Sequence, residues 1–336
     1  MVTAKSSYTT AWIPALIGAA ASLFLIRSGF AVLLFLLPLG FVGFGWGPKT
    51  LWTGLVFAVL GNFLITLFFG LTFNVPGEDM FWDMLYFTAA AASFAWIILP
   101  ADQKSYRIPG AYRLVLGASL CTLVFVGLFT RIFNNPAFYD SVKSQVETIA
   151  AFYWSGNTAE TQKALLDALD VDKIIEVMKN MILRGGALFS SLLILFVNRQ
   201  LSLFLIRFFG APRKNPVFRS FHVHPRIIWV LSFSLLLLLL SRNFFMTAAE
   251  IILWNIIVLC ALMYLAQGFG IVGYFMQRPG FPPVLRFFLP VVFVLLLFSP
   301  VINAVMLGIV AVLGVAENWV TFRIVNLNGP PATPQA

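Results

Sequence analysis

Apolar runs separated by short polar turns make up most of this chain, and one water-compatible stretch interrupts them. The runs fall at about 11–26, 29–45, 50–71, 81–99, 110–131, 181–198, 227–241, 247–276, 283–299 and 301–315. Most reach or approach the ~20 residues that carry a helix across a ~30 Å hydrocarbon core. In that setting every backbone N–H and C=O must be satisfied within the segment, so each run is expected to be a helix. The first two runs are joined by little more than Arg27-Ser28-Gly29 and read as a tight hairpin. The last two are split at Ser299-Pro300, which leaves two spans or one broken re-entrant element.

Residues 134–180 are different: polar, acidic and periodic at helical spacing through Val142, Val146, Ile149 and Tyr153. Asn157 with Glu160 reads as a capping box for a second helix. Asp170 reads as the cap of a third that continues through Ile174, Ile175 and Met178 into the sixth span. The segment is expected to form a helical cap outside the membrane.

Composition agrees with this reading. Sixty per cent of residues are hydrophobic and 10% are charged, and the mean hydropathy is +0.92. A soluble fold of this length has no interior for so much Phe and Leu. The net charge of +9 therefore reports orientation rather than nucleic acid. Lys5, Lys49, Asp102, Lys104, Arg107, Arg113, Arg278, Arg286 and Arg323 fall on one side of a ten-span chain. So does the acid-free series Arg199, Arg207, Arg213, Lys214, Arg219 and Arg226. That side is expected to be cytoplasmic, with both termini inside. Glu78, Asp79, Asp83, the acids of 140–176 and Glu250 lie opposite, and Arg27 and Arg242 are exceptions in short outer turns.

Chemistry-bearing patterns are sparse. Cys121 and Cys260 lie inside apolar runs, and the two histidines, His222 and His224, read as interfacial residues. No Walker A, GxSxG, HExxH or Rossmann fingerprint is present. No enzyme activity, cofactor or metal is expected. Polar residues within spans are costly and are functional candidates: Asn62, Asp83, Tyr86, Glu250 and Asn255 as a tentative solute site. Each is also explained by an interhelical hydrogen bond or by the interface. Ala11, Ala15 and Ala19 form a small-residue face on the first span. Gln267, Gly268, Gly270 and Gly273 form another, and both suit close helix packing. Glu317 and Arg323, six residues apart, would not meet on a continuous helix and are each expected to pair with a loop.

The C-terminal third carries a resemblance. Pro225 followed by Arg226-Ile227-Ile228-Trp229, Asn255, Gln267-Gly268 in "YLAQGFGIVGYFMQRPGFPPVLR", and Gly314, Glu317, Trp319 and Arg323 in "LGVAENWVTFR" resemble the YybS-like family of bacterial membrane proteins, a domain of unknown function. Glu317 stands where that family more often has Asp. "FLLPLGFVGFGWGPKTLWTGLVFAVLGNFLITLFFG" is similar to early spans of that family. It is also similar to those of the substrate-binding S components of energy-coupling-factor transporters. The S-component resemblance implies that Ala15 and Ala19 dock a membrane coupling subunit, with separate ATPase subunits supplying energy.

The expected architecture is all-α and polytopic. It comprises an S-component-like six-span module over 1–210, a basic cytoplasmic linker over 211–226, a four-span module over 227–323 and a disordered tail over 324–336. The leading functional expectation is binding or transport of a small solute. The alternative is a non-transporting scaffold or assembly factor, its basic residues Arg213, Lys214 and Arg219 facing anionic lipid or a protein partner. Nucleic acid is not an expected partner.

Overall fold

The computed structural model describes residues 12–29, 32–73, 77–99, 110–153, 170–210, 221–241, 247–276, 280–282, 284–286, 288, 292 and 300–323. Among them there are helices and turns and no strands. The chain falls into two compact units, Met1–Arg213 and Lys214–Ala336.

The first unit begins with α1 (Trp12–Arg27), a 3₁₀ turn at Val32–Leu34 and α2 (Leu37–Trp46). It continues with α3 (Pro48–Phe73), α4 (Gly77–Ile98) and α5 (Gly110–Phe133). Next come α6 (Pro136–Tyr153), α7 (Val171–Met181) and α8 (Ala187–Phe208). The second unit holds α9 (Ile227–Ser241), α10 (Thr247–Met276) and α11 (Pro300–Ala316). Among the described residues five helical stretches are long and apolar enough to cross a membrane; α1, α2, α9 and the end of α11 are shorter apolar helices.

Two elements differ from the sequence expectation. Among the described residues the run at 29–45 is not one continuous helix, because a 3₁₀ turn at Val32–Leu34 precedes the ten residues of α2, about 15 Å at 1.5 Å per residue. Pro38 at its start is tolerated there because a first-turn N–H has no intrahelical partner anyway. The broken backbone before α2 is satisfied from α8. Asn198 Nδ2 donates to the Leu33 carbonyl at 2.7 Å and Ser202 Oγ donates to that of Leu37 at 3.1 Å. Irregular backbone at membrane depth survives only where protein supplies such partners. Accordingly Phe35, Leu36, Leu39, Val42 and Phe44 are all buried, and α2 sits among α1, α3, α4 and α8.

The second difference is the sixth span. The helix runs from Val171 to Phe208 through a kink at Ile182–Gly186, and Arg199 and Arg207 lie inside it rather than in a loop. Gly185 makes the kink with φ 121°, a region L-residues avoid. Asp170 caps α7 as expected, its carboxylate accepting from the Lys173 N–H at 3.0 Å.

Packing within the first unit is antiparallel where α4 meets α5. Arg113, 1% exposed, sits in the first turn of α5 and its Nη1 donates to the Leu99 carbonyl at 2.8 Å. It caps the end of α4 rather than marking a loop. At the opposite ends Arg131 pairs with Glu78. In the second unit α10 packs on α11 through Gly268 and Gly314. A Cβ on either would collide with a facing backbone carbonyl, Val310 for Gly268 and Tyr264 for Gly314. Such contact is how helices gain packing energy in lipid, where burial in itself gives little.

The capping box at Asn157, the Arg213, Lys214 and Arg219 cluster, Ala11, Arg242, Arg278 and the tail lie outside the described residues, as does most of the 283–299 span.

Candidate functional site

In the first unit four polar side chains from three helices converge. Asn62 and Thr66 are one turn apart on the same face of α3, both buried, at 1% and 6% exposure. Arg27 ends α1 and reaches across to them. Its Nη2 donates to Asn62 Oδ1 at 2.6 Å, to Thr66 Oγ1 at 2.5 Å and to Asp83 Oδ2 on α4 at 2.6 Å. Thr66 Oγ1 also donates to Asp83 Oδ2 at 3.1 Å. The ion pair is half open, with the Arg27 and Asp83 side chains 33% and 43% exposed.

Helix lengths explain why. At 16 residues α1 is about 24 Å long and ends at the cluster. By contrast α3 runs seven residues beyond Thr66 to Phe73, and α4 begins six residues before Asp83 at Gly77. Both therefore extend about 9–10 Å further.

The expected site residues distribute unevenly around this cluster. Asn62 and Asp83 are brought together. Tyr86 is not part of it, because its ring packs against Phe125 of α5 at 5.9 Å between centroids. Glu250 and Asn255 belong to the second unit, where Asn255 Nδ2 donates to the Ile251 carbonyl of its own helix at 2.8 Å. Ala15 and Ala19 are 0% and 2% exposed. They pack inside the unit, and the face that the S-component resemblance assigned to a coupling subunit is covered. Arg27 and Thr66 are the members the sequence reading missed. The available signals were an arginine at the end of a span too short to clear the membrane, and an i, i+4 polar pair on α3.

The second unit has a polar lock of its own. Gln267, 0% exposed, accepts from the Val223 N–H at 2.6 Å and donates to the Gly314 carbonyl at 3.0 Å. Contrary to the expectation of separate partners, Glu317 and Arg323 pair directly. Arg323 Nε donates to Oε1 at 2.7 Å and Nη2 to Oε2 at 2.5 Å. This is possible because α11 ends at Ala316 and the chain turns before Arg323. Arg323 Nη2 also donates to the Phe221 carbonyl at 2.9 Å, and His222 Nδ1 stands 3.7 Å from Glu317 Oε2. Gln267, Gly314, Glu317 and Arg323, which carried the family resemblance, thus act together to hold segment 221–223 against α10 and α11.

Outside the spans, α6 and α7 meet through Asp172. Its carboxylate accepts from Lys143 Nζ at 2.9 and 3.2 Å and from the Tyr139 hydroxyl at 2.9 Å. The Lys143 ammonium, and after it the Tyr139 hydroxyl, lower the Asp172 pKa below its ordinary value. The same pair raises that of Lys143. An open cleft of about 550 Å³ lies here, lined by residues including Phe133, Tyr139, Asp170, Asp172, Glu176 and Lys179. Among the described residues no group of three or more His, Cys, Asp or Glu side chains is placed to hold a metal.

No curated protein and no solved structure matches the chain significantly. A family model described as "Predicted membrane protein (DUF2232)" matches residues 15–316, nearly the whole of both units. This multi-pass helical chain, with its apolar spans, belongs to the DUF2232 family of membrane proteins.

Proposed function

We propose that this protein captures a small polar solute through its first unit, at Arg27, Asn62, Thr66 and Asp83, from the extracytoplasmic side of a bacterial inner membrane. The observation that carries the reading is the convergence of these side chains on one half-open arginine. A charge at membrane depth is costly, and where one is retained it most often lines a solute or ion path. The broken backbone before α2, held by Asn198 and Ser202, supports the same reading. Interrupted helices at membrane depth line cavities in many transporters.

The similarity of the early spans to S components fits solute capture. Docking of a coupling subunit through Ala15 and Ala19 does not fit, since both are buried within the unit. Any coupling partner would use another surface. The orientation assigned from the loops places the α3–α4 turn and the α6–α7 segment outside.

Native mass spectrometry of the protein released from its own membranes tests this. A discrete bound small molecule is expected, retained on the wild type and lost in Arg27→Gln. An empty wild-type chain across a metabolite screen would remove the reading.

A second reading, a scaffold contacting protein or lipid, is favoured by one observation. Ile149 and Phe152 on α6 and Met181 on α7 are 57%, 77% and 68% exposed beside the membrane segments. Substituting all three by Ser would then abolish function and leave solute binding untouched.

A further inference from the structure

We infer that α6 and α7 lie in the headgroup layer of the outer leaflet, with an apolar face of α7 sunk into lipid and its polar face turned to water. The residue pattern of α7 carries this. Val171, Ile174, Ile175, Val177, Met178 and Met181 fall on one side of a helix of 3.6 residues per turn, and Asp172, Lys173, Glu176, Lys179 and Asn180 fall on the other. The apolar side is wider than the protein covers. Val171 and Ile175 are buried, whereas Val177, Met178 and Met181 are 51%, 44% and 68% exposed. With half-buried Ile174 these three make an i, i+3, i+4, i+7 stripe that the described residues leave largely open.

What covers the stripe follows from where the two helices are tethered. Val171–Phe208 is a helical stretch of 38 residues, about 57 Å at 1.5 Å per residue and nearly twice the ~30 Å hydrocarbon core. At the kink Arg184 and Gly185 leave helical dihedrals, so α7 departs from the axis of α8. Only Asn134 and Asn135 separate the end of α5 from the start of α6. Both helices are thus held within a few residues of the bilayer edge.

Standing inside the core, α7 would put Lys173, Glu176 and Lys179 into lipid, which is costly. Standing clear of the bilayer, it would put the apolar stripe into water. Lying at the boundary satisfies both faces, as in other interfacial amphipathic helices. Ile149 and Phe152, exposed and three residues apart on α6, extend the apolar surface. Within α7 two acids, Asp172 and Glu176, balance two lysines, Lys173 and Lys179, so the attraction is apolar and needs no anionic headgroup. On the water side this leaves Asp172, Glu176 and Lys179, and with them the open cleft they line. None of these residues belongs to the Arg27 cluster, so membrane contact and solute capture stand or fall separately.

Spin labels measure the depth directly. Cys121 and Cys260 are replaced by Ala, and single cysteines are introduced as Phe152→Cys, Val177→Cys and Met181→Cys on the apolar side and as Lys173→Cys and Glu176→Cys on the polar side. All five positions are exposed, so a label displaces no packed side chain. The labelled full chain is placed in nanodiscs of phosphatidylcholine. Power saturation then compares oxygen, which partitions into lipid, with a water-soluble nickel chelate. Oxygen is expected to relax the three apolar-side labels several times more effectively than the chelate does, and the chelate to dominate at positions 173 and 176. Chelate dominance on both sides would place the helices in water, and oxygen dominance on both sides would place them in the core. Access of neither reagent to positions 177 and 181 would put a protein surface on the stripe. Any of these three results overturns the assignment.

Discussion

Single residues do two kinds of work here. Some hold close approaches: at Gly268 and Gly314 a methyl group has backbone carbonyls in its way, and neither carbonyl can rotate aside. Gly268→Ala and Gly314→Ala are expected to destabilise the second unit by about 1–3 kcal/mol, read as a fall in unfolding temperature in detergent. Gly273, with open space around its Cβ position, serves as the control.

Others hold charge. Arg323 and Glu317 are 2% and 8% exposed, so removing one partner leaves the other buried and unpaired. Glu317→Gln is expected to cost about 3–5 kcal/mol. The double variant Glu317→Leu with Arg323→Met should recover most of that, since a buried pair replaced by apolar groups is often close to neutral. Additive losses in the double-mutant cycle would show that the two residues act separately.

At the scale of elements, long spans such as α3, α4, α5 and α10 were readable because an apolar run of that length has little alternative to a helix. The break before α2 was not readable. It depends on Asn198 and Ser202, some 165 residues away in sequence, and no local pattern announces a partner at that distance. The pairing of Glu317 with Arg323 was missed for a related reason: helical spacing excludes it until the helix is known to end at Ala316. Asn62 and Asp83 stand out as polar positions in apolar runs, whereas Arg27 reads only as a positive charge in a short outer turn, an exception to the charge asymmetry.

Loss of the α8 caps is testable. Asn198→Leu combined with Ser202→Ala should unfold the hairpin locally, and faster amide hydrogen exchange over 32–40 than in the wild type would register it. Unchanged exchange would mean that the caps are dispensable.

The α6–α7 contact carries a pH dependence. Asp172 has a lowered pKa in the folded protein, so its contribution is present above the ordinary Asp value and is lost as pH falls through the folded one. Lys143 has a raised pKa, so its contribution is present below the ordinary Lys value and is lost as pH rises through the folded one. Between about pH 5 and pH 10 the contact is intact. Spin labels on Ser144 and Lys179 should give a narrow distance distribution at neutral pH. It should broaden when the pH is lowered past the Asp172 value, and in Asp172→Asn it should be broad at every pH.

For the whole molecule, two helical units share one chain and one membrane, and each carries a distinct polar cluster. That of the second unit is closed, with Gln267, Glu317 and Arg323 buried and bonded to the 221–223 backbone. That of the first is half open, with the Arg27 and Asp83 side chains 33% and 43% exposed. Binding chemistry is assigned to the open cluster and architecture to the closed one. Asp83, the exposed acid of the open cluster, is the position from which to test this directly. Cys121 and Cys260 are both buried and are replaced by Ala to give a background without thiols. Asp83→Cys is then introduced, and a membrane-impermeant maleimide is applied from outside to sealed spheroplasts. The account predicts rapid labelling, slowed by a bound solute. An Asp83→Cys thiol that reacts only after the membrane is dissolved would contradict it.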